Sequence, residues 1–267
     1  MLLVALLAGV ATLGACSGEP RPATSVAEPS TPGLSPVAAL GEQLFRDEAL
    51  SVSGRLSCQT CHQPEFAHAA PTSDLVSKGG PGMDVPGIRN SPSIRYASFT
   101  PPFGYDEEGT AFGGFFRDGR VQTLAEQAMQ PFLDAREMAN ATPADVIARL
   151  ARSPNAARFR EVFGTQALDD PDAAYARLAA AIAQYEVENP DFHRFDSKFD
   201  AYLAGKAALS PAEERGLALF EDPEKGNCAA CHPSRPGADG PRPLRSRAQG
   251  PRGAPRPLRR VQGADAP

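Results

Sequence analysis

Apolar positions recur at helical spacing through most of this chain, and two stretches repeat one another. Leu34-Ser35-Pro36, then Gly41 and Leu44-Phe45, matches Leu209-Ser210-Pro211, then Gly216 and Leu219-Phe220, at a constant offset of 175 residues. In each copy Ser stands where it can cap a helix whose first turn holds Pro, so a helix is predicted after Ser35 and another after Ser210. Between the copies the same spacing predicts helices near 121–129, 143–151, 156–163 and 171–188, with starts signalled by Asn140-Ala141-Thr142-Pro143 and Asp169-Asp170-Pro171. Residues 64–105 read as one long loop, and no segment shows a strand pattern. The expectation is an all-α chain with a duplicated unit.

Each copy runs into the pentapeptide C-x-x-C-H, at Cys58-Gln59-Thr60-Cys61-His62 and at Cys228-Ala229-Ala230-Cys231-His232. Two thiols three positions apart lie on one side of a helical turn, where each can add to a haem vinyl group, and the adjacent histidine then faces the iron. A thioredoxin-like pair or half of a zinc site also uses C-x-x-C, but neither explains a histidine directly after the second cysteine in both copies. The motifs predict two covalently bound haem c groups in two tandem cytochrome c-like domains, 34–195 and an incomplete 205–240. On this reading the loop at 64–105 is long because a haem, rather than a sheet, supplies what the chain wraps.

The net charge of −5 over 267 residues argues against nucleic acid as a partner. The apolar opening, Met1 to Val10, is too short to span a membrane and suits an export signal. Leu13-Gly14-Ala15-Cys16 resembles a bacterial lipobox, which makes residues 1–16 a lipoprotein signal peptide and Cys16 the lipidated residue, against ordinary cleavage after a small residue. The segment 17–33, rich in Pro, Ser, Thr, Ala and Glu, reads as a disordered tether. This places the protein in the periplasm, held to the membrane by a lipid anchor only. From Pro233 to Pro267 there are eight Arg and eight Pro, and the net charge is +6. That vocabulary is what a GC-rich gene yields out of frame, so 241–267 reads as a frameshifted tail or as a genuine disordered basic one.

From Leu34 to Asp239 the chain resembles the bacterial di-haem cytochrome c peroxidase family, which includes the MauG-type enzymes. The resemblance rests on the paired haem motifs, Arg89-Asn90-Ser91-Pro92-Ser93, Phe115-Phe116-Arg117-Asp118-Gly119-Arg120, Glu126-Gln127-Ala128, Pro131 and Glu137-Met138. It implies that the haem of His62 is the peroxidatic one, with Gln127, Pro131 and Glu137 on its open side. Those types suit the chemistry: a carboxyl group moves a proton between peroxide oxygens, an amide orients the peroxide, and a proline adds bulk without a competing donor. Asn90 matches a family position that ligates calcium. Arg117 stands where the family commonly places a tryptophan between the haems, and this chain has no tryptophan.

The resemblance implies an enzyme that reduces hydrogen peroxide to water, with electrons from a periplasmic cytochrome or copper protein, and family members often form homodimers. Two other readings stay open: a MauG-like oxidase of a protein side chain, and an electron-transfer protein without peroxidase activity. Nothing after His232 offers the Met or Tyr that the family uses as sixth ligand of the second haem. Met83, Met129 and Met138 are expected to pack rather than ligate, and neither His68 nor His193 is expected to bind iron.

Overall fold

A computed structural model describes residues 31–71, 74–107, 109–230 and 232–234. The stretch expected to be a signal peptide, Cys16, most of the expected tether, Cys231 and the Arg/Pro-rich stretch after Ser234 lie outside the described residues.

The chain is helical, as expected. Helices α1 (Pro36–Phe45), α2 (Cys58–Cys61), α3 (Leu124–Leu133), α4 (Pro143–Leu150), α5 (Ala156–Phe163), α6 (Pro171–Glu188), α7 (Lys198–Leu203) and α8 (Pro211–Glu221) follow in order. Both repeat helices begin where the Ser-Pro pattern puts them. Ser35 and Ser210 each accept a backbone N–H from the residue three positions on, at 3.2 Å from Ala38 and 3.4 Å from Glu213. Helix α3 starts and ends later than its apolar pattern suggests, because Thr123 and Glu126 form a reciprocal capping box that sets its first turn.

The long segment after the first haem motif is not bare loop. It holds two antiparallel pairs, β1 (Lys78–Gly79) with β2 (Val85–Pro86) and β3 (Gly104–Tyr105) with β4 (Ala111–Phe112). Strands of two residues carry no alternation to detect, which is why the hydrophobic pattern missed them.

Helix α6 is the centre of the core and packs against α1, α3 and α4. Its alanines make close approach possible. A Cβ on Gly41 of α1 would stand 1.9 Å from the carbonyl oxygen of Ala181, so only glycine fits there. Phe45, Phe132, Phe159, Leu40, Leu150, Leu178 and Ile182 are all fully buried around this junction, each worth roughly 1.5–3 kcal/mol of transfer free energy. The two ends of the unit are tied as well: Ser35 donates its backbone N–H and hydroxyl to the Glu188 carboxylate at 2.7 and 2.8 Å. Those bonds hold the Glu188 carboxyl below its ordinary range.

Helix α8 buries no residue, and it leads directly to Cys228. The second haem motif therefore stands outside the core that α6 organises.

Candidate functional site

Cys58 and Cys61 open and close α2, a single turn fixed by Ser57, whose N–H donates to Thr60 Oγ1 at 2.9 Å. Both thiols are free and half-buried on that turn. Burial is the main cause that raises both thiol pKa values, and nearby carboxylates add to it. His62 follows, with its backbone N–H bonded to Cys58 oxygen at 3.0 Å. Its ring Nδ1 lies 3.0 Å from the carbonyl oxygen of His68. A carbonyl can only accept, so Nδ1 carries the proton and Nε2 keeps its lone pair. Burial lowers the His62 pKa, favouring the neutral ring. Two free thiols on one turn beside a neutral imidazole, whose ring also meets the Pro92 carbonyl, fit covalent haem with histidine ligation.

Helix α3 and the turn after it supply the other candidate residues. Gln127 and Pro131 are four apart on one helical face, beside the stripe of Ala128 and Phe132 that enters the core. Pro131 has no N–H to give the Gln127 carbonyl, so the helix carries an interrupted ladder at this point. The turn beyond α3 is stapled by buried Asn140, which donates to the carbonyls of Leu50 and Phe132 at 2.9 Å each. Glu137 rides on that turn. Its carbonyl accepts the Gly80 N–H at 2.8 Å, and a Cβ on Gly79 would meet Arg136 oxygen at 2.4 Å. Strand β1 can lie on the turn only because glycine occupies that place.

Glu137 is exposed to solvent as a residue, while protein closes around much of its carboxyl. Burial raises its pKa to about 7, Asp134 adds to the rise, and Arg120 opposes it. Glu137 in turn raises the pKa values of Cys58 and Cys61, so its carboxyl lies within electrostatic reach of both attachment thiols. Arg120 is itself held over the Phe116 ring at 3.6 Å and paired with Asp118 at 2.9 Å.

Other residues singled out from the sequence fall elsewhere. Met138 is buried, and Met83 and Met129 pack against the core. His193 lies 2.9 Å from the Val187 carbonyl. Asn90 is exposed, and its side-chain oxygen accepts from Arg117 at 3.4 Å. Among the described residues no group of three or more His, Cys, Asp or Glu could hold a metal ion. At the second motif, Cys228 and His232 are exposed.

Two features had no sequence signal. Glu186 of α6 is buried, has no hydrogen bond or ion pair with another described residue, and burial raises its pKa to about 8. His68, dismissed as an iron ligand, is buried against Asp191 and Phe192. A pairing across 123 positions leaves no trace in local periodicity.

Comparison with known proteins places these motifs in context. The family model described as di-haem cytochrome c peroxidase matches residues 35–208. Methylamine utilization protein MauG of Paracoccus denitrificans is 40% identical over 240 residues, covering 88% of this chain and 59% of its own length. Cytochrome c551 peroxidase of Pseudomonas aeruginosa is 34% identical over 197 residues, covering 72% of this chain and 49% of its own. The crystal structure of the diheme peroxidase BthA from Burkholderia thailandensis superposes with a TM-score of 0.69 at 38% identity, over 75% of this chain and 51% of that one. The chain thus spans about half the length of the relatives it matches.

Proposed function

The chain belongs to the di-haem cytochrome c peroxidase family, and we propose that it reduces hydrogen peroxide to water at a haem c held by Cys58, Cys61 and His62. The balanced reaction takes one peroxide, two electrons and two protons to two waters. Haem, when bound, supplies the iron that exchanges electrons with peroxide. The protein's own groups orient the substrate and move its proton.

Glu137 carries the proposal. With a pKa near 7 it is charged and neutral in comparable amounts at physiological pH, so it can take the proton from one peroxide oxygen and return it to the other. The second oxygen then leaves as water rather than hydroxide. Arg120 opposes the full effect of burial and keeps the carboxylate form within reach. The Gln127 amide would hold the peroxide, and Pro131 would line the same face without offering a competing donor.

Electrons would enter at a second haem c on Cys228, Cys231 and His232, from a small periplasmic cytochrome or copper protein. The protein would be exported, with Cys16 as lipid anchor. Arg117 cannot be reversibly oxidised, so transfer between the haems would not hop through that side chain. Peroxide-dependent oxidation of a reduced small c-type cytochrome by the holoprotein is the test. Turnover in the native protein that is lost in His62→Gly supports the assignment, and turnover that survives that change refutes it.

The 40% identity to a methylamine utilization protein favours one other reading, oxidation of a side chain on a partner protein. It would use the same Glu137 for proton transfer and would appear as peroxide consumption without oxidation of a donor cytochrome.

A further inference from the structure

The carbonyl that receives His62 Nδ1–H belongs to a residue in a disfavoured conformation. Ala67 and His68 are both left-handed, each with φ of 55°, a region that residues carrying a Cβ avoid. Two such residues in succession turn the chain sharply enough to aim the His68 carbonyl back at His62. Something must hold them there.

The His68 side chain is the holding element. It is 1% exposed and lies stacked on Phe192, with ring centroids 4.0 Å apart and 22° between planes. Its Nε2 lies 2.8 Å from Asp191 Oδ2. A carboxylate accepts, so Nε2 carries the proton. The other Asp191 oxygen accepts from Arg95 at 2.6 Å, and the residue just before Arg95, Ile94, donates its N–H to the His68 carbonyl at 3.2 Å. Tyr96 N–H donates to the Phe192 carbonyl at 2.6 Å. The proximal loop, the 94–96 strap and the turn after α6 are thus joined at one buried point.

We propose that His68, Asp191 and Arg95 are positioning residues for the first haem: they hold the His68 carbonyl on His62 Nδ1 and so set how strongly His62 donates to iron. This rests on the reading that His62 ligates a haem. A proximal histidine whose N–H is well bonded is a stronger donor, which favours the ferric state. Releasing the anchor lets residues 67 and 68 relax out of the left-handed region, and the carbonyl turns away. The iron then becomes easier to reduce.

The test uses full-length holoprotein, with haem on each motif established by proteolysis and mass spectrometry. The readouts are the midpoint potential of the first haem and the iron–histidine stretching frequency of the ferrous protein. His68→Phe keeps the stack on Phe192 and removes the bond to Asp191. It should raise the potential by about the tenfold effect typical of such outer partners, or 59 mV for one electron, and lower the stretching frequency. Asp191→Ala should do the same, and Asp191→Asn, whose amide oxygen still accepts from Nε2, should restore most of both readouts. A merely structural role would change stability without this graded pattern. Native potential and frequency in both His68→Phe and Asp191→Ala would overturn the inference while leaving the peroxidase reading intact, as would an Asp191→Asn shift as large as that of Asp191→Ala. Should His68→Phe fail to take up haem, the two Asp191 variants decide. Lack of haem on Cys58 and Cys61 in the native protein would overturn the function reading and this inference together.

Discussion

A Cβ on Gly79 would stand 3.0 Å from the Cα of Glu137 and 2.4 Å from the carbonyl oxygen of Arg136. Strand β1 therefore lies directly on the turn that presents the proposed acid–base residue, backbone against backbone. Neither partner is the end of a flexible side chain, so a larger residue at 79 must move the turn.

Gly79→Ala is expected to cut peroxide turnover by about tenfold or more, since misplacing a reacting group by about 1 Å can cost 100-fold. Overpacking of this kind typically costs about 1–3 kcal/mol, so the variant should still fold and carry haem. Turnover per haem, beside a thermal melt, measures both. Native turnover would show that Glu137 tolerates displacement.

Asn140 holds the same turn from the core side, donating to Leu50 and Phe132 and accepting from Arg149 Nε at 2.9 Å. Asn140→Ala takes the side-chain donor from the Leu50 carbonyl and the acceptor from Arg149 Nε–H, while the Phe132 carbonyl keeps the backbone N–H of residue 140. A loss of about 2–3 kcal/mol is expected from the desolvation of groups left unpaired, seen as a lower midpoint in urea with the slope unchanged.

Glu186 gives a pH dependence of stability. Its carboxyl is raised from 4.5 to about 8 in the folded chain, so between those values the folded state holds a proton that the unfolded state has released. Stability from this group is full below pH 4.5 and is lost as pH rises through about 8. The slope approaches about 1.4 kcal/mol per pH unit. Glu186→Gln should remove that slope and make the protein more stable than native at pH 9, as denaturation at pH 5 and 9 would show. A parallel loss in both proteins would mean that Glu186 is not the group responsible.

Much of the helical frame was legible because Ser-Pro, Thr-Pro and Asp-Pro starts are local: Ser35, Thr142, Asp170 and Ser210 all cap helices. The paired haem motifs were legible for the same reason. Gln127, Pro131 and Glu137 were legible only through resemblance, since an exposed carboxylate on a turn has no pattern of its own. The raised pKa of Glu137 depends on burial, Asp134 and Arg120 together, and sequence spacing carries no such sum. The two small strand pairs and the His68–Asp191 anchor depend on the path of a long connection, where the determinants are single glycines, left-handed residues and contacts between distant positions.

The central claim is that Glu137 transfers the peroxide proton beside the haem of His62. The most direct measurement is the pH profile of peroxide reduction in rapid-mixing experiments on native and Glu137→Gln holoprotein. Glu137 must begin as a carboxylate to accept the proton, so the native rate should rise with pH through about 7. Glu137→Gln should lose about 100-fold or more, as expected for a general acid–base group, and should lose that limb of the profile while keeping its haem. A Glu137→Gln protein with the native rate and the same rise through pH 7 would contradict the account.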